Sequence, residues 1–225
     1  SSRMYKSDKN LIDKLHKLGF TVAHIVPDSG VFQGQTALLQ LDKSGTIIKP
    51  SIGQQIAYEV DGWSSDSYPN SLLGVIALIR QTLFDATWYG QAIEKIKTYP
   101  QYNEPIAVND DLMILNKWIG NDLPFIFKTK HELSILRSIN LANEFNLNLW
   151  VIGNGYEYRR LSEIKEYSPF IILPLDFPST PDISNAYQEL QYSIAELKHW
   201  DMAPSNPLEL YKNKILFSIT SQGLK

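Results

Sequence analysis

Apolar positions along the chain alternate between two periods, and their order predicts helices and short strands in turn. From Asp8 to Leu18 the residues Leu11, Ile12, Leu15 and Leu18 fall on one helical face, and Gly19 follows as a stop. Phe20 to Val26 is a β-branched run ending at Pro27, which predicts a strand. Gly30 to Ile56 breaks the rhythm: Thr36 to Leu41 and Thr46 to Ile48 read as extended segments around the turn Asp42-Lys43-Ser44-Gly45. A polar loop from Asp61 to Asn70 carries Trp63 and Tyr68. Ser71 to Tyr89 then places Leu72, Val75, Ile76, Ile79 and Leu83 at core spacing on a long helix.

Beyond a polar connection at Tyr99 to Glu104, helix and strand alternate regularly. Helices are expected over Asp110 to Ile119, Glu132 to Phe145, Tyr156 to Tyr167, Ser184 to Trp200 and Pro207 to Lys212. Strands are expected over Pro124 to Phe127, Leu149 to Ile152, Pro169 to Leu173 and Ile215 to Thr220. Continuous apolar strands between amphipathic helices point to a parallel sheet covered by helices. A doubly wound sheet and a barrel both satisfy this pattern.

Composition narrows the functional classes. With 44% hydrophobic residues, the 225-residue chain has ample material for a sizeable core. The net charge of -3 comes from 21 basic and 24 acidic residues dispersed along the chain, so neither nucleic acid nor anionic membrane is an expected partner. No apolar run approaches the ~20 residues of a membrane helix. The absence of cysteine removes disulfides, thiolate metal sites and a cysteine nucleophile, and leaves the compartment undecided.

Candidate chemistry is sparse. Gly153-Asn154-Gly155 follows a strand but lacks the third glycine of a dinucleotide-binding turn, and neither a P-loop nor a G-x-S-x-G elbow is present. None of the four histidines, His16, His24, His131 and His199, stands in a zinc-binding pair. His16 is expected at the surface and His24 hydrogen-bonded within a core. His131 is expected at a solvated helix start just past a strand end, and His199 at a polar helix end. Lys128 and Lys130 alternate at a strand end, where inward side chains meet substrate in a barrel; two ammonium groups there favour an anion over a divalent cation. A sugar or peptide site built on Trp63 and Tyr68 is a weaker reading.

The segment Phe20-Thr21-Val22-Ala23-His24-Ile25-Val26-Pro27-Asp28-Ser29-Gly30, continuing through Gly34-Gln35-Thr36-Ala37-Leu38-Leu39-Gln40-Leu41, resembles amidohydrolases related to imidazolonepropionase. Ser71 to Tyr89, Ile135 to Phe145, Val151 to Glu157, Pro169 to Pro174 and Ile215 to Gly223 resemble successive elements of that family, so the likeness spans nearly the whole chain. It implies an α/β fold: a TIM-like (β/α) barrel of the metal-dependent hydrolase type, with residues 1–225 a single domain or fragment and a β excursion around 30–60. The barrel is expected to be incomplete, lacking its first strand, with residues 20–26 its second strand and parallel to its neighbours.

Active members hold metal with a strand-1 H-x-H, histidines on strands 5 and 6, and an aspartate on strand 8. The resemblance places Lys128-Thr129-Lys130, Asn154 and Gln222 at the last three of these positions, with His24 and His131 the nearest imidazoles. Protonated lysine does not ligate metal and neutral amides do so poorly, so no cofactor is expected. The implied function is a degenerate, non-catalytic module, structural or binding a small anion, whose partner is the rest of a longer polypeptide or a second barrel. The start at Ser1-Ser2-Arg3, with neither an initiator Met nor a signal-peptide pattern, is read as a signal already removed or as a cut from something longer. The alternative is a zinc- or other divalent-metal-dependent hydrolase of C–N bonds other than peptide bonds, with its missing ligands supplied from elsewhere in the parent.

Overall fold

A computed structural model describes residues 8–42, 45–58, 68–102, 104–182, 185, 187 and 190–220. The chain is mixed α/β. Its seven strands hydrogen-bond in sequence order, β1 to β7. It divides into two compact units, residues 1–126 with 141–148, and residues 127–140 with 149–225.

The first unit begins with helix α1 (Lys9–Lys17), capped by Asp8, whose carboxylate accepts from the Asn10 and Leu11 amides. Strands β1 (Val22–Ile25), β2 (Phe32–Gln40) and β3 (Ile47–Ala57) follow. Ile12 of α1 packs with Leu39 and Leu41, and Leu15, Ala23, Ile25 and Ile47 complete this small core.

Contrary to the expected parallel barrel strand, β1 pairs antiparallel with β2, His24 facing Leu38. The reason is length: residues 26–31 turn the chain directly back, whereas a parallel crossover needs about a dozen residues or more. β3 is also far longer than the extended segment expected near Thr46 to Ile48. Gln54 and Gln55 are buried in it, so the apolar signal that marks most inner strands is missing. Pro50 lies within β3 where the β2–β3 register shifts, between the Thr36–Gly53 and Leu38–Lys49 pairs. A proline without an N–H is tolerated at such an irregularity.

Helix α2 (Leu72–Thr98) starts at its Ser71 cap as expected but continues well past Tyr89. Val75, Ile79, Leu83 and Ala86 are fully buried along it. Its partner α3 (Asp110–Trp118) is capped by Asn109. The Tyr89 hydroxyl joins the two: it donates to the Ala107 carbonyl at 3.3 Å and accepts from the Asn109 amide at 2.8 Å. Trp118 meets Phe125 edge to face at 6.5 Å. Trp63 of the polar loop lies outside the described residues.

The unit boundary falls within strand β4 (Pro124–Lys128) and helix α4 (Glu132–Phe145). The second unit continues with β5 (Asn148–Ile152), α5 (Leu161–Tyr167), β6 (Phe170–Pro174), α6 (Ile194–Met202), α7 (Asn206–Lys212) and β7 (Phe217–Thr220). Here the parallel expectation is met: β5 pairs parallel with β6, and β6 with β7. Val151, Ile171 and Leu173 are buried in these strands, as are Ile164 and Leu210 in the helices. Each such side chain contributes about 1.5–3 kcal/mol of transfer free energy.

Two helices differ from their expected extents. The stretch from Tyr156 opens as a single 3-10 turn, Glu157–Arg159, before α5 begins. α6 starts at Ile194 because Ser193 and Glu196 form a capping box. Among the described residues no helix is long and apolar enough to cross a membrane.

Candidate functional site

The second unit gathers its unusual chemistry where β4 and β5 end. Thr129, just past β4, donates its hydroxyl to the Ile152 carbonyl at 2.8 Å, and its amide reaches the same oxygen at 3.3 Å. The Asn154 side chain donates to the Thr129 Oγ1 at 2.9 Å, and its Oδ1 accepts from the Tyr156 amide at 3.0 Å. Both ends of that amide are therefore engaged in shaping the loop after β5.

Below this loop lies Glu157, fully buried. Its Oε1 accepts from the Asn154 amide at 2.6 Å and its Oε2 from the Asn206 side chain at 2.6 Å. Asn206 in turn accepts from the Tyr158 amide at 2.8 Å. Burial pushes the Glu157 carboxyl above the usual carboxylate range, while the hydrogen bonds of Asn154, Asn206 and the loop amides oppose that rise. Gly155 holds a φ of +85°, a conformation a side chain would strain.

Above the loop, His199 of α6 is buried and stacks on Tyr156, the ring centroids 3.6 Å apart. The Tyr158 hydroxyl lies 3.3 Å from its Nδ1. The expectation of a polar or cationic helix end is thus corrected. Burial holds the imidazole below its ordinary pKa, the Arg159 charge pushes the same way, and Glu132 opposes them. The Arg159 guanidinium sits 4.6 Å from the Tyr156 ring centre, donates to the Tyr158 hydroxyl at 3.2 Å, and pairs with Glu132 at 3.3 Å.

Beside these groups opens a surface pocket of about 270 Å³, lined by Lys130, His131, Glu132, Tyr156, Arg159, Ala195 and Glu196. Of the residues singled out in the sequence, Lys130 and His131 line it. Lys128 is half-buried at the end of β4 and is not among the lining residues. Asn154 is committed to Thr129 and Tyr156. His24 is exposed on β1 of the first unit, not enclosed in a core, and His16 is exposed on α1. Gln222 lies outside the described residues.

Sequence reading missed Arg159, Glu132, Tyr156 and Glu196. Arg159 could have been flagged by the Tyr156-Glu157-Tyr158-Arg159 run of aromatic and charged residues. Nothing in the sequence connects Glu196 to that run, since α6 is distant along the chain.

The metal implied by the resemblance fits this donor set poorly. Ammonium groups offer no lone pair, and the Asn154 amide is already engaged at both ends. Among the described residues no group of three or more His, Asp or Glu is arranged to hold a metal ion.

No protein-family model matches the chain, and no curated protein matches it. Among solved structures, the crystal structure of an amidohydrolase from Thermotoga maritima is similar. The two share 17% identity with a TM-score of 0.69, over 90% of this chain and 51% of that one. The chain spans about half the length of that protein. Its fold is of the amidohydrolase type.

Proposed function

We propose that this chain is a degenerate, non-catalytic module of the imidazolonepropionase-like amidohydrolases, a segment of an incomplete metal-hydrolase barrel. It works with the remainder of a longer polypeptide or a second barrel, and it acts structurally or holds a small anion. The observation that carries this reading is the engagement of Asn154. The residue that the resemblance puts in the place of a metal-binding histidine is spent on the loop, bonded to Thr129 and Tyr156, while Lys130 and Arg159 bring positive charge to the adjoining pocket. Lys130 and Arg159 are the groups in that pocket suited to a carboxylate, phosphate or sulfate.

Elemental analysis of dialysed protein tests the degenerate site, with substoichiometric zinc, iron and nickel as the expected result. About one retained metal ion per chain, lost in His131→Ala, would replace this reading with a metal-dependent hydrolase of non-peptide C–N bonds. Titration with sodium sulfate tests the anion role: weak, salt-sensitive binding that Lys130→Met abolishes is expected. No heat and no chemical-shift change at Lys130 would leave the structural role alone.

A further inference from the structure

The pocket carries charge of both signs. Lys130 and Arg159 line it together with two carboxylates, Glu132 and Glu196. Arg159 is partly neutralised by Glu132, at 3.3 Å. Glu196 comes from a different element, the first turn of α6. Its Oε2 accepts both the Ser193 amide at 2.8 Å and the Ser193 hydroxyl at 2.7 Å, bonds that hold the carboxyl below its usual range and keep it anionic. Oε1 accepts neither. A plain inorganic anion entering this pocket therefore meets two negative groups, and a plain cation meets two positive ones.

Accepting the ligand-binding reading above, we infer that the pocket takes a zwitterion of free amino-acid size. Its carboxylate is directed to Lys130 and Arg159, and its ammonium to Glu196. The volume of about 270 Å³ suits this class. It lies just under the ~300 Å³ at which drug-sized clefts begin. Opposite charges on separate elements also discriminate: a ligand lacking either group forgoes one of the two ion pairs.

Isothermal titration at low salt with the free L-amino acids, their α-N-acetyl and carboxamide derivatives, and sodium sulfate tests this. At least one free amino acid is expected to bind. Its N-acetyl and carboxamide forms should each bind about tenfold or more weakly. Glu196→Gln should weaken the amino acid by a similar factor and leave sulfate unchanged or tighter. Glutamine serves equally in a capping box, so α6 keeps its start in this variant. Lys130→Met should weaken amino acid and sulfate alike. Sulfate binding with no response to any amino acid overturns the zwitterion and leaves the anion-binding module standing. Binding that survives N-acetylation overturns the role of Glu196. Silence from every probe overturns the zwitterion and the anion role together.

Discussion

The Glu157 carboxylate and the Asn206 side-chain amide meet at 2.6 Å in the interior of the second unit, both buried. Asn206 also accepts from the Tyr158 amide, so one side chain serves a carboxylate and a backbone donor at once. Asn206→Leu strips both partners, and a destabilisation of about 3 kcal/mol is expected from the urea midpoint.

The same carboxyl makes a pH prediction. Because burial raises its pKa in the folded state, the native protein binds this proton more tightly than the unfolded chain does. Glu157 therefore costs stability above its raised pKa, and the cost is relieved as pH falls toward the ordinary carboxylate value. Glu157→Gln keeps the shape and removes the titration. Relative to that variant, wild type should gain stability on acidification from neutral pH. Parallel melting curves for the two proteins between neutral and mildly acidic pH would count against a raised pKa.

His199 pushes the other way. Its pKa is lowered in the folded protein by burial and by Arg159. Its contribution is thus present above the ordinary imidazole value of ~6.5 and is lost as pH falls through and below it. His199→Phe keeps a ring against Tyr156 and cannot charge. Its melting temperature should fall less than that of wild type from pH 7 to pH 5, at some cost at pH 7 from the lost Tyr158 partner.

Gly153 is a matter of space. A Cβ there would stand 2.6 Å from the Glu157 Oε1, 3.2 Å from the Ile171 Cγ2 and 3.3 Å from the Leu173 Cδ1. The carboxylate is bonded through both oxygens and cannot swing aside. Gly153→Ala should cost about 1–3 kcal/mol. The double variant with Glu157→Ala should show less than the sum of the two single effects, because the clash and the network share one group.

In the first unit, Tyr89→Phe should cost about 1–2 kcal/mol, since it leaves the Asn109 amide without the hydroxyl that accepts it at the start of α3. Hydrogen exchange should accelerate at Asn109 while the α2 amides around Leu83 keep their protection.

How far the sequence could be read followed how local each cause was. The Glu132–Phe145 helix, the starts of helices near Asp8 and Ser71 and the strand around Val151 rest on spacing and on residues within one turn, and all were legible. β3 was not, because its buried glutamines look like surface. His199 was misplaced for a related reason: whether an imidazole at a helix end is wet or stacked depends on Tyr156, a partner from another segment. Of the residues that line the pocket, Lys130 and His131 drew notice in the sequence through the strand end that carries them. Their neighbours Arg159 and Glu196 were not, having no sequence relation to it.

By itself, then, the sequence determined the order of strands and helices through the second unit, that cysteine chemistry is excluded, and that lysines and an amide, Asn154, lie at or just past the ends of β4 and β5. Those are properties of residue type and short-range period. Tertiary structure alone decided that β1 turns back antiparallel, that Asn154 is consumed by Thr129 and Tyr156, and that Glu196 faces the same pocket as Lys130. Strand direction, hydrogen-bond partners and shared cavities are relations between distant segments. They are set when burial and polar pairing are satisfied across the fold, and no local pattern carries them.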